Sequence, residues 1–193
     1  MTSRLRSSRL IPVLFFATAC LAEAHPGHGP ASLSTGFIHP LTGWDHLAAM
    51  VAVGLWAAQI GGRAKWALPV AFVGSMVLGA AAGVAGLAPG GAEWGILASV
   101  FILGTVIAAA IRPPVWAAVT VAAVAGTCHG IAHGAEMPAN SNTVLFLVGM
   151  IIATALLHAL GVAAGSYAAG RRSTWLRVAG AAVVAIGFGL LLT

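Results

Sequence analysis

The chain has 193 residues, of which 60% are hydrophobic and 7% charged, and its mean hydropathy is +0.98. A soluble globular domain carries about 25% charged residues, so this composition excludes a soluble enzyme, and its low polarity excludes a disordered chain. The net charge is +5, but the basic residues are spread along the chain without a basic patch, which excludes a nucleic-acid binder. The composition therefore indicates a membrane protein.

The first 24 residues have the features of a secretory signal peptide. Three arginines precede Leu10, an apolar run follows over residues 10–21, and Ala22-Glu23-Ala24 supplies a small-residue cleavage site. The apolar run is shorter than the ~20 residues that span a bilayer core. We therefore expect residues 1–24 to be removed and the mature chain to begin at His25. A retained signal anchor is the alternative.

Six apolar stretches follow the leader, and most have the ~20 residues that cross ~30 Å of hydrocarbon. Prolines lie at or near their edges, and Pro40 suits the first position of the first helix. The sequence predicts an all-α membrane protein, with a periplasmic tail over residues 25–38 and a six-transmembrane-helix bundle over residues 39–193. The six stretches are residues 42–61, 67–88, 93–111, 115–134, 143–169 and 174–193.

The basic residues of the mature chain all fall on one side of this predicted topology. If the mature N-terminus lies outside the cell, they occupy the cytoplasmic side, as the positive-inside rule requires, while Glu93 and Glu136 fall on the opposite side. This pattern predicts a multi-pass protein of a bacterial inner membrane, with its N- and C-termini in the periplasm. The basic residues are Arg63, Lys65, Arg112, Arg171, Arg172 and Arg177.

The fourth predicted span ends with three potential metal ligands. His129, His133 and Glu136 are spaced i, i+4, i+7, so they lie within ~40° of one another on one helix stripe. Two histidines at i, i+4 can bind one metal ion, and ionisable groups in a membrane span usually serve a function. We interpret the stripe as ligands. Three glycines recur every four residues on the same helix and favour a packing face over a substrate-facing backbone: Gly126, Gly130 and Gly134.

The start of the first predicted span carries a second group of polar residues. His39 and His46 are seven residues apart, so a straight helix would hold them ~10 Å apart along its axis, too far for one ion. Either they bind an ion in succession, or Pro40 and Gly43 bend the segment. Asp45 can face a neighbouring helix or orient a histidine; a helix-end carboxylate at the positive dipole end is the structural alternative.

Three further histidines complete the set. His158 lies well inside the fifth predicted span and needs a partner for its ring; Thr154, four residues earlier, is a local candidate, and a ligand or relay role is the alternative. His25 and His28 would follow the free α-amine of the mature chain, and together these groups can chelate a divalent ion. They predict an outer capture site, unless the tail has no binding role.

Three segments of the chain resemble the motifs of the HupE/UreJ family. HPLTGWDHLAAM at residues 39–50 is similar to the family's HPxxGxDH signature, HGIAHGAEMP at residues 129–138 to its second block, and ATALLHALG at residues 153–161 to its third. The resemblance extends over essentially the whole mature chain, including the leader and the six-span plan.

This resemblance implies a secondary permease for nickel or cobalt, often associated with hydrogenase or urease. The motif positions of the family correspond here to seven residues, which the resemblance marks as the metal site. It implies no resident cofactor, because the metal is the cargo, and it does not decide among Ni²⁺, Co²⁺ and Zn²⁺. The seven residues are His39, Asp45, His46, His129, His133, Glu136 and His158.

Two other functions stay open at this point. A membrane-embedded zinc hydrolase is one, because histidines and an aspartate can hold a catalytic Zn²⁺, although the chain lacks an HExxH motif. A haem-binding helical bundle is the other. The expected partners are a divalent metal ion and the lipid bilayer, with no nucleic acid; a homo-oligomer and a link to hydrogenase or urease maturation are compatible with the sequence.

The leader generates a testable prediction. Signal peptidase cleavage after Ala24 leaves a chain that begins at His25, because the small residues Ala22 and Ala24 precede that bond at the spacing of a cleavage site. The intact mass of the protein purified from membranes should lack residues 1–24. A mass that includes them would contradict the cleavage and add a further apolar segment to the membrane domain.

Overall fold

The computed structural model describes residues 31–137, 142–169 and 174–192, and in these ranges the chain is helical without β-strands. Seven α-helices are present in them, numbered here in chain order. They are α1 (Leu33–Thr42), α2 (Trp44–Ile60), α3 (Ala64–Val84), α4 (Ala92–Ala108), α5 (Val115–Ala135), α6 (Thr143–Ala169) and α7 (Thr174–Leu191).

The helices agree with the predicted all-α membrane protein. Four of them, α3, α5, α6 and α7, are long and apolar enough to cross a bilayer, and α4 is a shorter apolar helix of 17 residues. The chain is thus a multi-pass membrane protein by its helix lengths and composition. The count of six crossings stays a prediction, and the predicted signal peptide, with His25 and His28, lies outside the described residues.

The first helix begins earlier than the sequence predicts. Ser32 caps α1, because its hydroxyl accepts from the Thr35 amide and the Thr35 hydroxyl accepts from the Ser32 amide. Pro40 therefore lies inside α1 and does not occupy the first position of a helix. Six residues assigned to the tail, 33–38, are helical, and the run Ser34-Thr35-Gly36 among them interrupts the apolar pattern that would reveal them.

Close backbone contact joins α3 and α5, which run parallel. A Cβ atom on any of Gly126, Gly130 and Gly134 would overlap the carbonyl oxygen of an α3 residue, namely Phe72, Met76 or Ala80 respectively. Gly79 and Gly83 of α3 make the reciprocal contacts with α5. The predicted packing role of the α5 glycines is therefore confirmed, since small residues allow backbones in a membrane to approach closely.

Glycines also set the other main helix contacts. Gly54 of α2 and Gly161 of α6 lie against each other's backbone, and Gly36 of α1 lies against Phe146 of α6. Both α1 and α2 run parallel to α6, so together they form one helical segment that is interrupted at Gly43. In contrast, α4 and α7 pack antiparallel, through Gly104 and Gly180. These directions are those that an alternating path through the bilayer requires.

Side chains from α2 and α7 hold the end of α4. At a helix C-terminus the last carbonyl groups have no intrahelical donor. Three side-chain donors from other helices bond to carbonyls at the end of α4 and in the turn that follows it, and the Arg177 guanidinium is one of them. Trp56 Nε1 donates to Ile111 O at 3.0 Å, Gln59 Nε2 to Ile107 O at 3.0 Å and Arg177 Nε to Ala108 O at 2.9 Å.

The α3–α5 contact predicts a large difference between two glycine substitutions. Gly130→Ala places a methyl group on the Met76 carbonyl and should cost about 1–3 kcal/mol of stability through overpacking. Gly74→Ala on α3 is the matched control, because nothing lies within 4 Å of its Cβ position and alanine favours a helix. Thermal unfolding of the detergent-purified protein measures both. Equal midpoints for the two variants would show that the contact is not tight.

Candidate metal centre

The break between α1 and α2 brings His39 and His46 together. Gly43 has an extended backbone (φ −83°, ψ 119°) and separates α1 from α2. The two imidazole rings consequently lie with their centroids 5.2 Å apart, about half of the ~10 Å that a straight helix would impose. Of the two sequence alternatives, the bent segment is therefore correct, with the break at Gly43.

Asp45 orients the neighbouring histidine. Its Oδ1 accepts from His46 Nδ1 at 2.5 Å and from the His46 backbone amide at 2.8 Å. The proton on Nδ1 leaves the lone pair of His46 on Nε2, which is the arrangement that a metal ligand requires. Gly43 leaves room for this pair, since a Cβ there would lie 2.8 Å from Asp45 Oδ1 and 3.0 Å from His46 Nδ1.

His133 of α5 completes a group of three imidazoles. His46 Nε2 and His133 Nε2 are 2.7 Å apart, and the ring of His39 lies 4.6 Å from that of His133. One nitrogen from each of the three histidines lies within 4.8 Å of the corresponding nitrogens of the other two. Two ligand bonds of ~2.1 Å place their nitrogens at most about 4.2 Å apart. Small shifts of the rings, including a slight separation of His46 from His133, would therefore let the outer trio, His39, His46 and His133, hold one ion.

His129 lies one helical turn below His133 on α5. Its Nδ1 donates to the Ala125 carbonyl at 2.9 Å, which again leaves the lone pair on Nε2. That Nε2 is buried and has no hydrogen-bond partner in the described residues, and the ring lies 5.2 Å from the His46 ring. His129 is thus next to the outer trio with a nitrogen available to a cation.

His158 lies deeper in the bundle, on α6. Its side chain is 1% exposed, and neither ring nitrogen has a partner in the described part of the chain. The predicted local partner is wrong, because the Thr154 hydroxyl donates to Met50 Sδ at 3.2 Å. The His158 carbonyl lies against Gly54, which is ~12 Å further along α2 than His46. His158 is therefore a separate polar position below the outer trio.

The remaining predicted ligands are not in this group. Glu136 follows the last residue of α5 and is exposed, and it is not among the three residues whose ligand atoms cluster. Sequence reasoning also missed Phe72, whose ring contacts both His129 and His158. A phenylalanine in an apolar span carries no signal of its own, and its position depends on the register between α3 and α5.

The arrangement can bind a borderline divalent cation. It supplies imidazole nitrogens, a carboxylate that holds one of them and no cysteine within the outer trio. Imidazole donors suit Zn²⁺, Cu²⁺, Co²⁺ and Ni²⁺. The trio lies where α2 begins and α5 ends, at the side that the basic-residue pattern predicts to be periplasmic, so an ion from that side would meet it first.

Comparison with known proteins identifies the family of the chain. A family model described as HupE / UreJ protein matches residues 13–190. "Protein HupE" of Rhizobium leguminosarum bv. viciae is 39% identical over 177 residues, which cover 91% of this chain and 92% of the relative. No solved structure matches the chain. The chain therefore belongs to the HupE/UreJ family of membrane transport and accessory proteins associated with nickel and cobalt, which are not enzymes.

Proposed function

We propose that the chain is a secondary permease that carries nickel or cobalt ions from the periplasm towards the cytoplasm. The observation that carries this proposal is the outer trio, in which three imidazole nitrogens lie within 4.8 Å of one another. Family membership supports transport and removes the hydrolase interpretation. The trio belongs to a chain with few other polar groups inside its helices. Ionisable side chains are energetically costly in a membrane, and cation binding is the reason for their presence here.

The donor set supports a borderline cation. The Irving–Williams order places Cu²⁺ above Ni²⁺, Co²⁺ and Zn²⁺ at any site of this kind, so selection of nickel must come from geometry or availability. Three imidazoles from three helices can impose such geometry, because a shift of one helix changes the coordination angles. Zn²⁺ is the competing ion that the uptake experiment has to include.

The predicted topology supplies a driving force for uptake. An inside-negative potential favours entry of a cation by ~2.3 kcal/mol per charge per 100 mV. The ion would pass from the outer trio to His129 and then to His158, each of which has a buried nitrogen available. Successive moderate sites suit conduction, because one very tight site would retain the ion.

Two parts of the proposal concern features beyond this path. His25 and His28 would capture metal before it reaches the outer trio, and deletion of residues 25–29 would then slow uptake at low metal concentrations. Through its family, the chain would supply nickel to hydrogenase or urease maturation in the cell.

Ligand substitutions test the transport site. His129→Ala, His133→Ala and Asp45→Asn should each abolish uptake of radioactive nickel, because each removes a ligand or the charge that holds His46. Glu136→Gln should have a milder effect, since water can replace an exposed carboxylate. The initial rate at equal membrane protein level is the measurement, with Co²⁺ and Zn²⁺ as competitors.

Cys128→Ala is the matched control for these substitutions. Cys128 is adjacent to His129, but its Sγ lies against Gly95 of α4. The uptake rate of the Cys128→Ala variant should equal that of the wild type. Near-normal rates for all three ligand variants would show that the histidines are structural and would overturn the proposed permease.

The role of Gly43 can be measured by metal binding alone. Gly43→Ala keeps an allowed backbone conformation at φ −83° but puts a methyl group against Asp45 and His46. Loss of an orienting partner typically weakens metal affinity by about 10–100-fold. Equilibrium dialysis of the purified protein with nickel should show this loss, while Gly74→Ala leaves the affinity unchanged. Unaltered affinity in Gly43→Ala would contradict the assigned role of the Asp45–His46 pair.

A further inference from the structure

One aromatic side chain contacts both His129 and His158. The Phe72 ring of α3 lies 5.3 Å from the His129 ring and 5.1 Å from the His158 ring, centroid to centroid. Phe72 is completely buried. The same phenyl ring therefore contacts both His129, which lies next to the outer trio, and His158, which lies below it.

The backbone of Phe72 is held in place. Its carbonyl oxygen lies against the Cα of Gly126, where a Cβ would overlap it, and it also accepts a hydrogen bond from the Ser75 hydroxyl at 3.0 Å. Because α3 and α5 are in such close contact, the main chain at this position cannot move aside without separating the two helices. Rotation of the side chain is the smaller movement that can clear the space between the two imidazoles.

His158 also borders a groove on the surface of the bundle. The groove, of about 710 Å³, lies between α3 and α6 and is lined almost entirely by apolar side chains. Two of its lining residues, Trp66 and Val70, are exposed on α3, a helix long and apolar enough to cross a bilayer. The groove therefore faces lipid and is not an aqueous exit for an ion. His158 itself is buried, and its two ring nitrogens, which have no partner in the described residues, are available to a cation at that depth.

We propose that the Phe72 side chain is a gate between His129 and His158, and that His158 is the inner station that the ion reaches when the gate opens. The inference rests on the proposed permease function and adds a specificity-determining residue to it. A cation bound by His129 cannot reach His158 while the phenyl ring fills the space between them. Rotation of the ring opens that step.

A phenyl ring has suitable chemistry for such a gate. It offers no hydrogen bond to water, so it opposes the passage of a hydrated ion. Its face attracts a cation that has lost part of its water shell to imidazole ligands. The gate would therefore pass ions that bind nitrogen and exclude ions such as Mg²⁺, which binds oxygen and gives up water reluctantly.

Vesicles of defined lipid that contain the purified full-length chain provide the test. Phe72→Ala should admit Mg²⁺, which the wild type excludes, because water fills the space of the ring. Phe72→Trp should lower the initial rate of radioactive nickel uptake at least about tenfold, because the larger ring cannot rotate aside. Nickel affinity at the outer trio, measured by equilibrium dialysis, should change less than twofold in both variants.

Phe101→Ala is the control for loss of an aromatic ring elsewhere in the bundle. Phe101 pairs with Phe188 between α4 and α7, with ring centroids 5.0 Å apart, and this variant should keep both nickel uptake and Mg²⁺ exclusion. If Phe72→Ala or Phe72→Trp is not recovered as folded protein, the decision rests on Phe72→Leu, which keeps an apolar side chain of similar volume but removes the ring face that attracts a cation. This variant should still exclude Mg²⁺ and should slow nickel uptake.

The outcomes separate the gate from the proposed function. Wild-type vesicles that take up no nickel overturn the permease and the gate with it. If the wild type transports nickel, the gate alone is overturned when Phe72→Ala excludes Mg²⁺ as the wild type does, or when Phe72→Trp transports nickel at the wild-type rate. With the Leu variant as the deciding one, nickel uptake at the wild-type rate overturns the gate.

Discussion

The close contact between α3 and α5 determines where the functional side chains point. Gly130 and Gly134 each follow a histidine of α5 directly, and a Cβ at either glycine would overlap an α3 carbonyl. The helix therefore has no rotational freedom at this interface. With the glycines held on α3, His129 and His133 face α1 and α2, where His39 and His46 lie. The same contact places Phe72 beside His129.

The interrupted path of α1 and α2 is the second constraint on the site. Transporters often place ion sites at discontinuous helices, where the break exposes polar groups within the membrane domain. Here Gly43 allows two histidines seven residues apart to meet, and it also leaves space for the Asp45–His46 pair. A single small residue therefore serves both the backbone geometry and the orientation of a ligand. This dual role explains why Gly43 matters although it carries no chemistry.

Part of this site could be predicted from the sequence, and the reason lies in local geometry. The i, i+4 spacing of His129 and His133 fixes their common face on any α-helix, and the motif resemblance identified the residues around Asp45. The break at Gly43 could not be decided, because a proline and a glycine nearby are compatible with either a straight or a bent segment. Phe72 could not be found, because its place depends on the register between two helices distant in sequence.

The distribution of charge along the proposed path favours entry of a cation at the outer side. Among the described residues, the acidic ones lie where α2 and α4 begin and where α5 ends, at the predicted outer side: Asp45, Glu93 and Glu136. Carboxylates there attract a divalent cation and offset the cost of removing its water.

Deeper on the same path, the ligand is a neutral imidazole at His158, so the electrostatic attraction to fixed charge falls as the ion moves inward. A site that binds less tightly at each step releases its ion more readily. A fixed charge or ligand changes the energy of the ion for movement in both directions, so the order of ligands determines how readily the ion leaves each site and not the net direction. The inside-negative membrane potential supplies the direction, because it lowers the energy of a cation on the cytoplasmic side.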